Sequence, residues 1–68
     1  MNTATKRNLR TRIIDFESFE YEDENTGDTI DMECDGVSFS GHIEYQGDTW
    51  DFDDLSAIDV LDLLEEYF

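Results

Sequence analysis

Apolar and polar residues alternate through the middle of the chain with a period of two. Residues 30–35 read Ile30, Asp31, Met32, Glu33, Cys34, Asp35, the pattern of a strand with one buried face. Asp35-Gly36 follows, a two-residue hairpin signal, and then Val37, Phe39, Gly41, Ile43 and Tyr45 alternate with Ser38, Ser40, His42 and Glu44. Gln46-Gly47 marks a second tight turn, after which Trp50 and Phe52 keep the same spacing. Centring a hairpin on each dipeptide predicts a register. Cys34 faces Val37, Met32 faces Phe39 and Ile30 faces Gly41; Ile43 faces Trp50 and Gly41 faces Phe52. Each pair sets apolar against apolar or against Gly41, so both turns assign the same sheet face to the core. Gly41 reads as bare backbone covered by neighbouring aromatics.

The start of the sheet is less regular. Ile14 and Phe16 share one parity and Phe19 and Tyr21 the other, which a bulge at Glu17-Ser18 would reconcile. The loop Glu24-Asn25-Thr26-Gly27 then sets Tyr21 opposite Ile30 and Phe19 opposite Met32. The end of the chain has helical spacing. Leu55, Ala57, Ile58, Val60, Leu61, Leu64 and Phe68 form an apolar stripe, with Asp59, Asp62, Glu65 and Glu66 on the other side. Asp53, Asp54 or Ser56 caps this helix, and Ser56 with Asp59 resembles a capping box. Residues 1–12 have no apolar period, and Leu9 is their only sizeable apolar side chain after Met1. They read as a flexible basic tail, or as a basic arm on the acidic body or on a partner. The expected fold is α+β: a four-stranded antiparallel meander over residues 13–68 with one C-terminal helix packed on one face. The expected core is Ile30, Met32, Phe39, Ile43, Trp50, Phe52, Leu61 and Leu64.

Charge changes the picture. The chain has 68 residues, enough for one domain, with 19 Asp and Glu against 4 Lys and Arg, a net charge of −15. All four cations, Lys6, Arg7, Arg10 and Arg12, precede the first acid, Asp15. Such a body has no means of gripping nucleic-acid phosphates and is repelled by an anionic membrane. No apolar run approaches the roughly 20 residues of a membrane span, and the N-terminal residues lack the apolar stretch of a secretory signal. The acid-free start carries the composition of an organelle transit peptide but is very short for one. Cys34 is the single cysteine, which suits a reducing compartment and a cytoplasmic location. High charge favours disorder. A hydrophobic content of 38% and an aromatic content of 13%, placed with a period, favour a folded domain that tolerates self-repulsion.

Candidate chemistry follows from where the acids fall. The sheet face opposite the core carries Asp31, Glu33, Ser38, Ser40, His42, Glu44, Thr49 and Asp51, with Glu20 and Glu22 beside them. Alternate residues of a strand lie about 6.8 Å apart and neighbouring strands about 4.8 Å apart. Duplex DNA carries about one charge per 1.7 Å of axis, so a plane of carboxylates approaches its charge density. Carboxylate and phosphate both accept the arginine fork. Asp59, Asp62, Glu65 and Glu66 of the helix form a second candidate face, the choice between them depending on which side of the sheet the helix covers.

In short length, extreme acidity and acids set on strands and a helix around a small core, the chain resembles the small phage-encoded DNA-mimic inhibitors: anti-restriction proteins, anti-CRISPR proteins and the uracil-DNA glycosylase inhibitor. The resemblance is one of class and carries no motif or site residue. It implies a stoichiometric inhibitor that blocks a basic nucleic-acid-binding host protein. Two other readings stand beside it, an acidic protein–protein interaction module and a halophile-adapted small domain. No cofactor is expected and no enzyme. Asp31 to Gly36 begins like an EF-hand loop, but its bidentate acid would fall on His42, and the segment makes a better hairpin. Asp48, Asp51, Asp53 and Asp54 offer at most loose cation binding. Cys34 alternates inward as a core residue. His42 falls opposite Asp51 as a cross-strand polar pair, in preference to a general base. There is no glycine-rich phosphate loop and no zinc-type spacing.

Overall fold

The computed structural model describes Met1–Phe68. The order of elements is α1 (Thr3–Ile14), β1 (Phe19–Glu22), β2 (Thr29–Cys34), β3 (Phe39–Tyr45), β4 (Asp48–Leu55) and α2 (Ala57–Tyr67). The four strands form one antiparallel sheet in the order β1-β2-β3-β4, with β1 and β4 at its edges. The α+β class and the meander agree with the sequence reading. There are two helices, however, and both bury their apolar residues against the same side of the sheet.

The first helix replaces the expected flexible tail over residues 1–12. Asn2 caps it, its Oδ1 accepting from the Thr5 amide at 2.8 Å, and Arg12 sits in its last turn, where a cation suits the helix dipole. Leu9 and Ile13 are one turn apart on a single face, and Ile13 is 0% exposed. Met1 also packs against the core. Lys6 and Arg10 both reach Glu65 of α2, Lys6 at 3.5 Å, so the only basic element is strapped to the acidic helix. The expected boundary between residues 12 and 13 divides the Leu9–Ile13 pair that defines this helix.

No strand runs through Ile14 and Phe16, and no bulge forms at Glu17-Ser18. The Phe16 amide donates to the Ile13 carbonyl and the Glu17 amide to the Arg12 carbonyl, the paired bonds of a Schellman helix end. This puts Phe16 at φ 56°, a left-handed position usually given to glycine, with its ring stacked on Phe39 at 6.3 Å. The chain then enters β1, whose register against β2 is the expected one, Phe19 opposite Met32 and Tyr21 opposite Ile30.

The β2–β3 register differs from the expected one by two residues. Cys34 faces Phe39, Met32 faces Gly41 and Ile30 faces Ile43. The loop holds residues 35–38 because the Asp35 side chain organises it. Asp35 Oδ1 accepts from the Val37 amide at 2.9 Å and the Ser38 amide at 2.8 Å, and the Asp35 amide donates to the Ser38 carbonyl. This Asx-type turn prevails over the two-residue hairpin. A slip of two preserves which face each side chain takes. Gly41 accordingly meets the β2 backbone rather than an aromatic cover: a Cβ there would collide with the Asp31 carbonyl and lie 2.9 Å from Met32 Cα.

The β3–β4 hairpin is as expected. Gln46 and Gly47 both have positive φ, as a type I′ turn requires, and Ile43 faces Trp50, His42 faces Asp51 and Gly41 faces Phe52. Beyond that pair the register shifts, Phe39 facing Leu55. Ser40 therefore opposes both Asp53 and Asp54 in a β-bulge. Its hydroxyl donates to Asp53 Oδ1 at 2.9 Å and accepts from the Asp54 amide at 3.3 Å. Helix α2 starts with the expected capping box of Ser56 and Asp59.

The core consists of Leu9, Ile13, Phe19, Ile30, Met32, Phe39, Ile43, Val60 and Leu64. Trp50, Phe52 and Leu61, expected inside, are half-buried. Trp50 and Phe52 lie on an edge strand, and Trp50 is covered on one side by Tyr67 at 5.3 Å between ring centroids. Ile58, placed on the apolar stripe by its spacing, is exposed.

Candidate partner-binding face

With both helices on one side, the opposite face of the sheet is uncovered, and the strand pairing arranges its side chains in rows. Glu20, Asp31, His42 and Asp51 are successive cross-strand partners, one from each strand. Glu22, Thr29, Glu44 and Thr49 form the next row in the same way. Glu33 pairs with Ser40, which is bonded to Asp53 across the bulge, and this makes a third. Glu20, Glu22, Asp31, Glu33, Glu44, Asp51 and Asp53 are all exposed, and no salt bridge reaches any of them. Strand spacing of about 4.8 Å sets the pitch along each row and the pleat, about 6.8 Å, sets the pitch between rows. The strands set the spacing of the carboxylates, and no Lys or Arg side chain of the protein pairs with them.

The helical acids form no comparable face. Glu65 is engaged by Lys6 and Arg10, and the Asp59 carboxylate accepts from the Ser56 amide in the capping box. Asp62 and Glu66 are exposed. Of the ten acids singled out from the sequence, the six on the sheet come together on one surface. The four on α2 are divided between internal roles and solvent. Asp53 belongs with the sheet set and was missed as a site residue, although its alternation with Trp50, Asp51 and Phe52 carries the signal.

Comparison with family models, with curated proteins and with solved structures finds no match to this chain. The arrangement itself is therefore the ground for any reading of function.

Two titrating groups depart from their ordinary values, and both lie off this face. Hydrogen bonds from the Ser38 and Val37 amides, joined by the Ser38 hydroxyl, hold Asp35 below the usual carboxylate value. Burial raises the Tyr21 phenol, with the charges of Asp23 and Asp28 adding to the effect. Asp23 and Asp28 themselves fasten loops: Asp23 Oδ1 accepts from the Asn25 amide at 2.9 Å, and Asp28 Oδ1 from the Gln46 amide at 3.1 Å. No group of three or more His, Cys, Asp or Glu side chains is placed to hold a metal ion. Cys34 is half-buried and its Sγ accepts from the Gly36 amide at 3.4 Å. His42 lies within the acidic row, flanked by Asp31 and Asp51 on neighbouring strands. No helix is long and apolar enough to cross a membrane.

Proposed function

We propose that the protein is a stoichiometric inhibitor that lays its open sheet face in the basic nucleic-acid-binding groove of another protein, with carboxylates standing where phosphates would. The observation that carries this reading is the uncovered array of Glu20, Glu22, Asp31, Glu33, Glu44, Asp51 and Asp53, with every Lys and Arg gathered on α1, a helix packed on the sheet's other side. Arginine and lysine side chains that track a phosphate backbone meet acceptors of the same charge and similar fork geometry. The protein works by occupancy, without turnover and without a cofactor, where such grooves operate in the cytoplasm. Association is electrostatically steered, so it is fast at low salt and slows sharply as salt rises.

The test is capture of the partner from nuclease-treated host lysate, followed by competition with duplex DNA. The expected partner is a nucleic-acid-binding protein, captured at about one inhibitor per site and released by DNA. Changing Asp31, Glu33 and Glu44 together to Asn or Gln should weaken capture severalfold or more while the fold is kept. A partner without a basic nucleic-acid site, or one that DNA does not displace, would replace this reading with that of an acidic adaptor module.

A further inference from the structure

The fold leaves an apolar groove at the end of the sheet where the α1–β1 turn, the β2–β3 loop and the first turn of α2 meet. It is a shallow, open depression of about 500 Å³, lined by Phe16, Gly36, Val37, Ser56, Ala57 and Ile58. Val37 is 77% exposed, Ile58 71% and Phe16 45%. Three sizeable apolar side chains from three separate segments thus converge on solvent, in a chain short of core material. Scattered exposed apolar residues need no account, but a convergent group marks a contact surface. Phe16 occupies the left-handed helix-end position where glycine would be favoured; its ring stacks on Phe39, and the residue lines the groove.

Charge decides what fits. Asp15 and Asp54 are exposed and lie close in the chain to lining residues, while the Asp35 and Asp59 carboxylates are turned to the loop amides and the α2 cap. Lys6 and Arg10 are committed to Glu65. A second copy of the chain would bring another charge of −15 against this one. An anionic lipid surface is repelled for the same reason. Charge complementarity selects a cationic segment, and the groove selects an apolar side chain within it, the usual division of an interface into a buried anchor and a polar rim. Resting on the function proposed above, we infer that the groove of Phe16, Val37 and Ile58 takes one apolar side chain projecting from an Arg- or Lys-rich segment of the partner. The acidic sheet face then supplies steering, and the groove adds tightness that salt does not remove.

Two labelled peptides of about twelve residues test this by fluorescence anisotropy, both rich in Arg and Ser, one with a central Leu-Trp pair and the other with Ser-Ser. At physiological salt the Leu-Trp peptide should bind at least tenfold more tightly, and its advantage should persist at about 0.5 M salt. The double variant Val37→Ser/Ile58→Ser should abolish the advantage and leave Ser-Ser binding unchanged. Asp31→Asn/Glu33→Gln should weaken both peptides alike. Cooperative melting checks the folding of each variant, and Val37→Ser alone, confined to an exposed loop, should remove most of the advantage. Equal affinity for the two peptides, or a preference that survives Val37→Ser/Ile58→Ser, overturns the inference while leaving the acidic-face reading in place. Failure of either peptide to bind in a salt-dependent manner overturns both. A dimer in sedimentation at high salt that Val37→Ser dissolves would give the groove to a second copy and likewise overturn it.

Discussion

Asp35 shows how one side chain decides a hairpin. Its carboxylate collects the Val37 and Ser38 amides and the Ser38 hydroxyl, and these bonds fix the loop that sets the β2–β3 register. Because they favour the charged form, the folded-state pKa lies below the ordinary value of 3.8. A depressed carboxylate contributes stability that is present above its unfolded pKa and is lost as the pH falls through its folded value. Asp35→Ala should therefore lower the melting temperature at neutral pH. The gap between the variant and the natural chain should close progressively as the pH drops below about 4. Thermal melts of the two proteins from pH 7 to pH 2 check this, and a gap independent of pH would show that the loop does not rely on the charge. The Asp35-Gly36 dipeptide was legible as a turn, but not as this turn: a two-residue hairpin and an Asx-organised loop share the same two residues, and only the competition for Val37 and Ser38 separates them.

At the scale of elements, α1 has the least evident sequence signal and a large structural role. Ile13 is fully buried, whereas Trp50 on the edge strand is half-buried. Ile13→Ala should cost about 2–5 kcal/mol, a large part of the stability expected of so small a domain. Trp50→Ala should cost less, roughly 1–3 kcal/mol, since part of its side chain already faces water. Chemical denaturation of both variants gives the order, and a larger loss at Trp50 would mean that the aromatic cluster with Tyr67 governs the fold instead of the α1 contact. The strands were readable because a period of two survives a register slip of two, so the face of each acid was correct even where its partner was not. Helix α1 was not readable because its buried face holds only Leu9 and Ile13, with Met1 further along the same side and Thr5 in between. The apolar groove was hidden for related reasons: Val37 becomes a loop residue through the slip, and Phe16 becomes a helix-end residue once α1 exists.

Across the whole molecule, dimensions and screening length decide how the acids act on one another. The molecule spans 32 × 25 × 17 Å. At 0.01 M salt the screening length is about 30 Å, so every carboxylate feels nearly every other; at 0.15 M it is about 8 Å, and only neighbours interact. The open face has no internal cation to offset this repulsion. The melting temperature should rise by several degrees between about 0.01 M and 0.5 M sodium chloride, since about 1 kcal/mol shifts a domain of this size by about 4–8 °C. Scanning calorimetry across that range checks it. A chain that stays unfolded until salt becomes molar would instead belong with halophilic adaptation.

The two edges of the sheet carry a further consequence of the same charges. Strand β4 runs along one edge with Asp48, Asp51, Asp53 and Asp54, and β1 along the other with Glu20 and Glu22. Unpaired strand edges are templates for joining another chain, and like charge is one of the devices that prevents it. Here nearly all of that protection is charge, and salt sets how far it reaches. Concentrated salt would screen both edges together while the backbone groups they guard remain open, and monomers that repel one another in dilute buffer would be able to stack edge to edge into fibrils.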